Sequence, residues 1–431
     1  MSYYKQLFKL TPIKKRYLLQ FGYIGTDFSG VQRQIPYGIN LESDIFTVQG
    51  LLENGLSRLK PLNEPRIHTS SRTDAGVHAI RSTAHVDLEF YYEHQHNPYN
   101  ICKRINHFFL KANLDIRLQN VVQVPDNFSA RFNAIWRKYV YRVAVIRDNK
   151  YHYSSHNFFI PMTEHDRCHF LLDHPFVDMD AARECAKMVV GVKNFASFMS
   201  RYGTDRDETV NPTRTLHSFD ITPSKSFFDT EWDKQFYYWD FTCTGRAFLY
   251  KQVRKLVTAM IQVAQKRFTV EEFAWMLNNP STDNWPSHMK LVPPYGLFLM
   301  DIGYREEDLR VPKDNIRYSL VLESMQSDNK LEVIKILREL HGSCTILQAR
   351  DMMKNLPVVV RSDLVERDAR FYQELFESKQ CMTRLEKIVL PSDDTETNKP
   401  VHDSDSLSSS NDSEDNKNSQ VNNDEKVKTT N

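Results

Sequence analysis

Paired cysteines are missing from this sequence. Its six cysteines stand at 102, 168, 185, 243, 344 and 381, and no two have Cys-x-x-Cys spacing. Neither a zinc site nor a disulfide framework is indicated, so reduced, intracellular thiols are expected. His152 and His156 are four apart, as are His165 and His169, but a structural zinc site needs four ligands and nothing completes either pair. No metal is therefore expected. Long apolar runs are also missing: none approaches the ~18 residues of a membrane span, and no secretory signal is visible. No membrane association is expected. Acidic residues are absent from the start, where Lys5, Lys9, Lys14, Lys15 and Arg16 all precede Asp27. A basic, acid-free start hints at mitochondrial import, although it is short and poor in Ser and Arg. A solvated or nucleic-acid-contacting arm fits it as well. The compartment stays open among mitochondrion, cytoplasm and nucleus, with a lean to the mitochondrion.

What is present is a chain of 431 residues, more than the ~100–200 of one ordinary domain. Hydrophobic residues are 41% and charged residues 26%, as in soluble globular proteins. The net charge of +1 hides an asymmetry. Residues 391–431 hold ten acidic against four basic side chains, a balance of −6, which leaves +7 on residues 1–390. A moderately basic body suits a polyanionic partner, though weakly by itself. The 391–431 tail is rich in Ser, Asn and Asp with almost no apolar residues, a composition expected to stay disordered.

Periodicity divides the rest. Ala84, Val86, Leu88 and Phe90 alternate with His85, Asp87 and Glu89, as in a strand with one buried face. Val48, Leu51, Leu52, Leu56 and Leu59 predict an amphipathic helix over 47–60. "NICKRINHFFL" predicts a second helix, and "DIRLQNVVQV" and "RKYVYRVAV" predict strands. Farther on, helices are expected at 181–190, 248–264 and 269–277, and strands at 214–221, 236–242 and in "YGLFLMDIGY". Mixed elements without regular βαβ alternation indicate an α+β fold with mostly antiparallel sheet. Residues 306–390 read as an appended helical piece.

Three stretches bear on chemistry. In "SSRTDAGVHA", Arg72 and Asp74 flank Thr73 on a turn. An ordinary surface ion pair, worth about 0–1 kcal/mol, explains that spacing as readily as a site does. In "SARFNAIWRKYVYRV", the cations Arg131, Arg137, Lys138 and Arg142 interleave with Phe132, Trp136, Tyr139 and Tyr141. That mixture suits a phosphate backbone with stacked bases, or a strand with an aromatic core face. On the 248–264 helix, Lys251, Arg254 and Lys255 fall on one side and Leu249, Val253, Leu256 and Met260 on the other. The cationic side is either a solvated face or the wall of a cleft.

"SRTDAGVHA" resembles the catalytic-loop motif of the TruA-type tRNA pseudouridine synthases. "TVQGLLENGL", "FSARFNAIWRKYVY", "VGVKNFASF", "PTRTL", "RAFLYKQVRKLV" and "YGLFLMDIGY" resemble further segments of that family, in order, over about residues 16–304. The wording is most similar to a eukaryotic, pseudouridylate synthase-like branch. Two positions depart: Ile24 stands where the family has an aspartate, and Val31 where it has a tryptophan, both expected to flank an RNA-binding surface. The resemblance implies a pseudouridine synthase fold of two similar halves, 16–148 and 149–305, with a catalytic cleft between them. It would be preceded by a basic arm at 1–15 and followed by the 306–390 extension. It implies isomerisation of uridine to pseudouridine in tRNA, or in other RNA including mRNA, without a cofactor and in a protein that can form a homodimer.

It also implies residue roles. Asp74 is the catalytic carboxylate, where a hydrolytic glycosidase would usually use two. Arg254 is the cation that keeps it ionised in a dry site. Tyr139 packs on the target base and relays the C5 proton. Arg72 holds the flipped nucleotide, whose extrusion costs a few kcal/mol. His78, Lys251, Lys255 and Arg131 are further substrate-binding candidates. A retired active site on an RNA-binding or RNA-folding protein is the rival from another class.

Overall fold

A computed structural model describes residues 12–34, 46–147, 160–172, 177–201, 210–228, 230–231, 233–311, 316–326, 329–341 and 344–389. The 1–11 part of the expected arm, His152, His156 and the 391–431 tail lie outside these residues. The expected arm ends earlier than 15, because β1 (Ile13–Tyr23) already includes Lys14, Lys15 and Arg16. These cations are engaged in the sheet. Arg16 grips Asp87 through Nε at 2.6 Å and Nη2 at 2.8 Å, Lys14 reaches the same carboxylate at 3.1 Å, and Lys15 pairs with Glu93.

One large sheet carries most of the chain. Its remaining strands are β2 (Ile67–Thr69), β3 (His78–Phe90), β4 (Ile116–Val124), β5 (Trp136–Ile146), β6 (His169–Leu171), β7 (Gly191–Asn194), β8 (Thr213–Ser224), β9 (Phe236–Gly245) and β10 (Leu297–Gly303). The order is β4-β1-β3-β10-β5-β9-β8-β7, with β2 on β3 and β6 on β5. Pairing is antiparallel except for β10 with β3 and β6 with β5, so the mostly antiparallel α+β expectation holds. The β10–β3 contact is short, only Phe298 opposite His78 and Leu299 opposite Ala79. That splice joins the strands formed early in the chain to those formed late.

Side-chain alternation places the core. Ala84, Val86, Leu88 and Phe90 are buried on one face of β3, and Tyr139, Tyr141, Val143 and Val145 on one face of β5. Helices α1 (Val48–Ser57), α2 (Pro98–Lys111), α3 (Met179–Met188), α4 (Gln252–Ala264) and α5 (Val270–Asn278) supply further apolar residues to that core. Side-chain caps start four of them: Thr47, Asn97, Asp178 and Thr269 each accept a backbone N–H of the first turn. Helix α4 begins four residues later than its apolar pattern predicts. Lys251 before it has φ +60°, a left-handed conformation outside the helical region.

Residues 306–390 are not simply helical. β11 (Ile316–Met325), β12 (Val358–Leu364) and β13 (Cys381–Val389) form an antiparallel sheet ordered β12-β11-β13, with α6 (Lys330–His341), α7 (Ile346–Lys354) and α8 (Glu366–Glu377). The correction has a simple cause. "VVVRSDL" and "IRYSLVLESM" are β-branched or alternating, and the neighbouring helical patterns mask them. This sheet has its own core, including Leu320, Leu322, Val360, Tyr372 and Phe376. Tyr92 packs against Phe371 and Tyr372, and the Glu93 N–H donates to Asp368 Oδ2 at 2.6 Å.

Candidate active site

The turn between β2 and β3, residues 70–77, is fastened at almost every residue. Ser70 is tied to Thr83 through its N–H at 2.9 Å and its hydroxyl at 2.8 Å. The Val77 N–H closes the turn on the Asp74 carbonyl at 3.2 Å. Gly76 has φ +78°, and a Cβ there would lie 2.9 Å from Pro294 Cγ, so both conformation and space favour glycine. Three further side chains of the turn find three different partners. Ser71 Oγ lies 2.7 Å from Tyr139 Oη, and Thr73 Oγ1 lies 2.7 Å from Tyr23 Oη. Asp74 Oδ2 accepts from Arg254 Nη1 at 2.9 Å, across 180 residues of sequence. Arg72, between the two hydroxyls, is exposed and has no hydrogen bond or ion pair among the described residues.

Arg254 is itself held. Its Nε and Nη2 donate to the Val292 carbonyl at 3.1 and 2.8 Å. The Val292 N–H donates to Thr258 Oγ1 at 3.0 Å, and that hydroxyl donates to the Arg254 carbonyl at 2.7 Å. A closed circuit thus joins the first turns of α4 to the segment before β10 and leaves one edge of the guanidinium for Asp74. The pair is largely enclosed, with side-chain exposure of 10% for Arg254 and 24% for Asp74. Tyr139 is buried, with Phe248 edge-on at 5.1 Å. Burial raises its phenol pKa, and the hydrogen bond with Ser71 opposes that rise.

The sequence-predicted residues divide. Asp74, Arg254 and Tyr139 converge on the 70–77 turn, and Arg72 stands at its exposed crest. Arg131 is exposed with its guanidinium 5.5 Å from the ring of Phe132, which is 79% exposed. Lys251 is partly exposed beside the Tyr250 ring. Two expected substrate contacts turn inward instead. His78 is fully buried: Nδ1 accepts the Gly25 N–H at 2.9 Å, and Nε2 faces the carbonyls of Asp166 and Tyr295 at 2.8 and 2.9 Å. With both ring nitrogens occupied by backbone, His78 fixes the start of β3 rather than touching a ligand. Burial, its largest influence, lowers its pKa. Lys255 is buried too. Its Nζ donates to the Met199 carbonyl at 2.7 Å above the Trp285 ring, and burial lowers its pKa to about 8. The expected basic face of α4 is therefore an interior one, since every α4 residue except Gln262 is buried. Val31 is also buried, not on a binding surface.

Sequence reasoning missed Arg137, which it grouped with the phosphate-facing cations. Its guanidinium is buried and donates to three carbonyls: Ser70 at 2.8 Å, Arg131 at 2.9 Å, and Arg246. It ties the start of the 70–77 turn to the Arg131 segment and to the end of β9. Residue 137 shares the buried face of β5 with Tyr139 and Tyr141, and charge type alone does not reveal that a cation can sit on a core face when carbonyls receive its guanidinium. Among the described residues, no group of three or more His, Cys, Asp and Glu is placed to hold a metal ion. No helix among them is long and apolar enough to cross a membrane.

The chain as a whole has counterparts among known proteins at the sequence level. A family profile described as tRNA pseudouridine synthase matches residues 185–305. A Xenopus laevis protein named tRNA pseudouridine synthase-like 1 is 34% identical over 300 residues, 69% of this chain and 93% of the relative. The Homo sapiens protein of that name is 28% identical over 298 residues, 68% and 91% of the two chains. tRNA pseudouridine synthase A of Staphylococcus aureus (strain JH1) is 29% identical over 296 residues, 68% and 92%. Matched across nearly the full length of these relatives, the chain belongs to the TruA-type tRNA pseudouridine synthases, a family of isomerases.

Proposed function

We propose that this protein converts specific uridines of tRNA to pseudouridine, with Asp74 as the catalytic carboxylate and no cofactor. The observation that carries this reading is the 2.9 Å Arg254–Asp74 pair, set on a turn whose other side chains are all engaged or point outward. The reaction breaks the N1–C1′ bond of uridine and joins C1′ to C5 of the same base. Asp74 serves as nucleophile at the sugar or as the base that deprotonates it. The Arg254 guanidinium favours the ionised carboxylate that either route needs. Enclosure keeps water from C1′, which would otherwise give hydrolysis. Tyr139 lies under the base and relays the C5 proton, and Arg72 reaches the flipped nucleotide. The cleft lies between the half built on β1, β3 and β4 and the half built on β5, β7, β8 and β9. The relatives' names supply tRNA as the substrate class; mRNA as a second substrate and a homodimer are further parts of the proposal.

The test is incubation of the purified protein with unmodified tRNA in the presence of a chelator. Pseudouridine should form without release of free uracil. RNA binding with no conversion would instead indicate a retired site, and free uracil a glycosidase.

A further inference from the structure

We propose that Ser71 is a positioning residue for proton removal, acting through Tyr139. This rests on the reading of Tyr139 as the C5 proton relay. The Tyr139 oxygen is 2.7 Å from Ser71 Oγ, and this is its one hydrogen bond among the described residues. The ring is buried, and Phe248 fixes it edge-on. Ser71 is partly exposed and shares the turn that carries Asp74. It therefore joins the buried phenol to the open side of the site.

That arrangement meets a chemical need. Once C1′ is bonded to C5, that carbon still carries its hydrogen, and the C5–H bond must break to restore the C5=C6 double bond. A neutral phenol can take that proton only if it gives up its own. In the relay, the C5–H electron pair forms C5=C6, the displaced pair settles on N1, which takes a proton from solvent, and the C5 proton joins Tyr139 Oη. The original Tyr139 proton passes to Ser71 Oγ, and the Ser71 proton leaves to a solvent water. One proton enters the chain and one departs, so no charge stays on the buried tyrosine. The hydrogen bond also eases any phenolate character, in line with its lowering influence on the Tyr139 pKa.

The neighbouring hydroxyl differs in kind. Thr73 Oγ1 meets Tyr23 Oη at 2.7 Å, but both residues are buried, which suits anchoring of the turn. Ser71 has one side toward the tyrosine and one toward solvent.

The test uses the full chain under single turnover, with tRNA carrying protium or deuterium at the target C5. Ser71→Ala should slow pseudouridine formation about tenfold, less than the ~100-fold or more of a lost general acid–base group. RNA affinity should be unchanged, the melting temperature should fall slightly because the buried phenol loses its partner, and a C5 deuterium isotope effect should appear or grow. Ser71→Thr should restore most of the rate. Wild-type turnover by Ser71→Ala, slow turnover without an enlarged isotope effect, or failure of threonine to rescue would each overturn the proposal. Tyr139→Phe separates the two levels of the argument. If it turns over like wild type with no isotope effect, the relay reading itself fails. If it slows with an isotope effect while Ser71→Ala does not, only the role of Ser71 fails.

Discussion

Arg72 and Arg254 are the same residue type beside the same carboxylate, and their surroundings give them different work. Arg254 is enclosed, bonded to Asp74 and doubly to Val292, whereas Arg72 is exposed. Breaking a buried pair typically costs about 3–5 kcal/mol. Arg254→Ala also leaves the Val292 carbonyl short of donors, so it should lower stability by about 3 kcal/mol and abolish most turnover. Arg254→Lys should recover the charge without the two-edged geometry and restore activity only partly. Arg72→Ala should leave the melt unchanged and weaken the RNA step. Thermal melts beside turnover assays of the three variants decide this; a destabilised Arg72→Ala with a stable Arg254→Ala would reverse the assignment. Lys255 makes a pH prediction. Its folded pKa of about 8 lies below the ordinary 10.5. Its neutral form is thus favoured by folding, and its contribution is fully present above 10.5 and lost as pH falls to about 8. Wild type should therefore gain stability relative to Lys255→Met as pH rises from 8 to 10.5. Denaturant melts across that range measure it, and a constant difference would contradict the inward placement.

Elements were legible where apolar residues recur with a regular period along one buried face. The Ala84–Phe90 alternation and the Tyr139–Val145 face appear as strands with those residues inside. The pattern failed where both faces are covered. Helix α4 reads as amphipathic, yet its cations lie within the protein, because a long side chain can be buried when its head finds a carbonyl or a ring, as Lys255 does with Met199 and Trp285. His78 and Arg137 follow the same rule. Their backbone-carbonyl partners have no signature in sequence. For RNA binding, the salt slope should therefore respond to Lys251 and Arg131, each removed phosphate contact lowering it by about 0.7–0.9. Lys255→Met should leave the slope unchanged; a slope that responds to Lys255 and ignores Lys251 would place the RNA elsewhere. In α8, whose apolar residues share a core with the sheet of β11, β12 and β13, fully buried Tyr372 joins Phe371 in packing on Tyr92. Tyr372→Ala should destabilise this part by about 3–5 kcal/mol, seen as early loss of amide protection in 316–389; protection that persists would mean the site repacks.

At the scale of the whole molecule, three of the family-like segments meet at one place. The 70–77 turn, β5, the start of α4 and the residue before Pro293 come from four distant stretches, and the short β3–β10 splice brings them together. Their convergence could be expected only from the resemblance, since no local pattern encodes a 180-residue contact. The 391–431 stretch carries a balance of −6 and almost no apolar residues. Its removal should leave turnover unchanged and strengthen RNA binding slightly, if at all; loss of most activity in a folded truncation would show otherwise. The central claim is that one carboxylate, Asp74, performs the isomerisation. The most direct measurement is single-turnover pseudouridine formation by Asp74→Asn on tRNA, beside its RNA affinity. The account predicts wild-type-like binding with no product, and clear residual turnover in a clean preparation would contradict it.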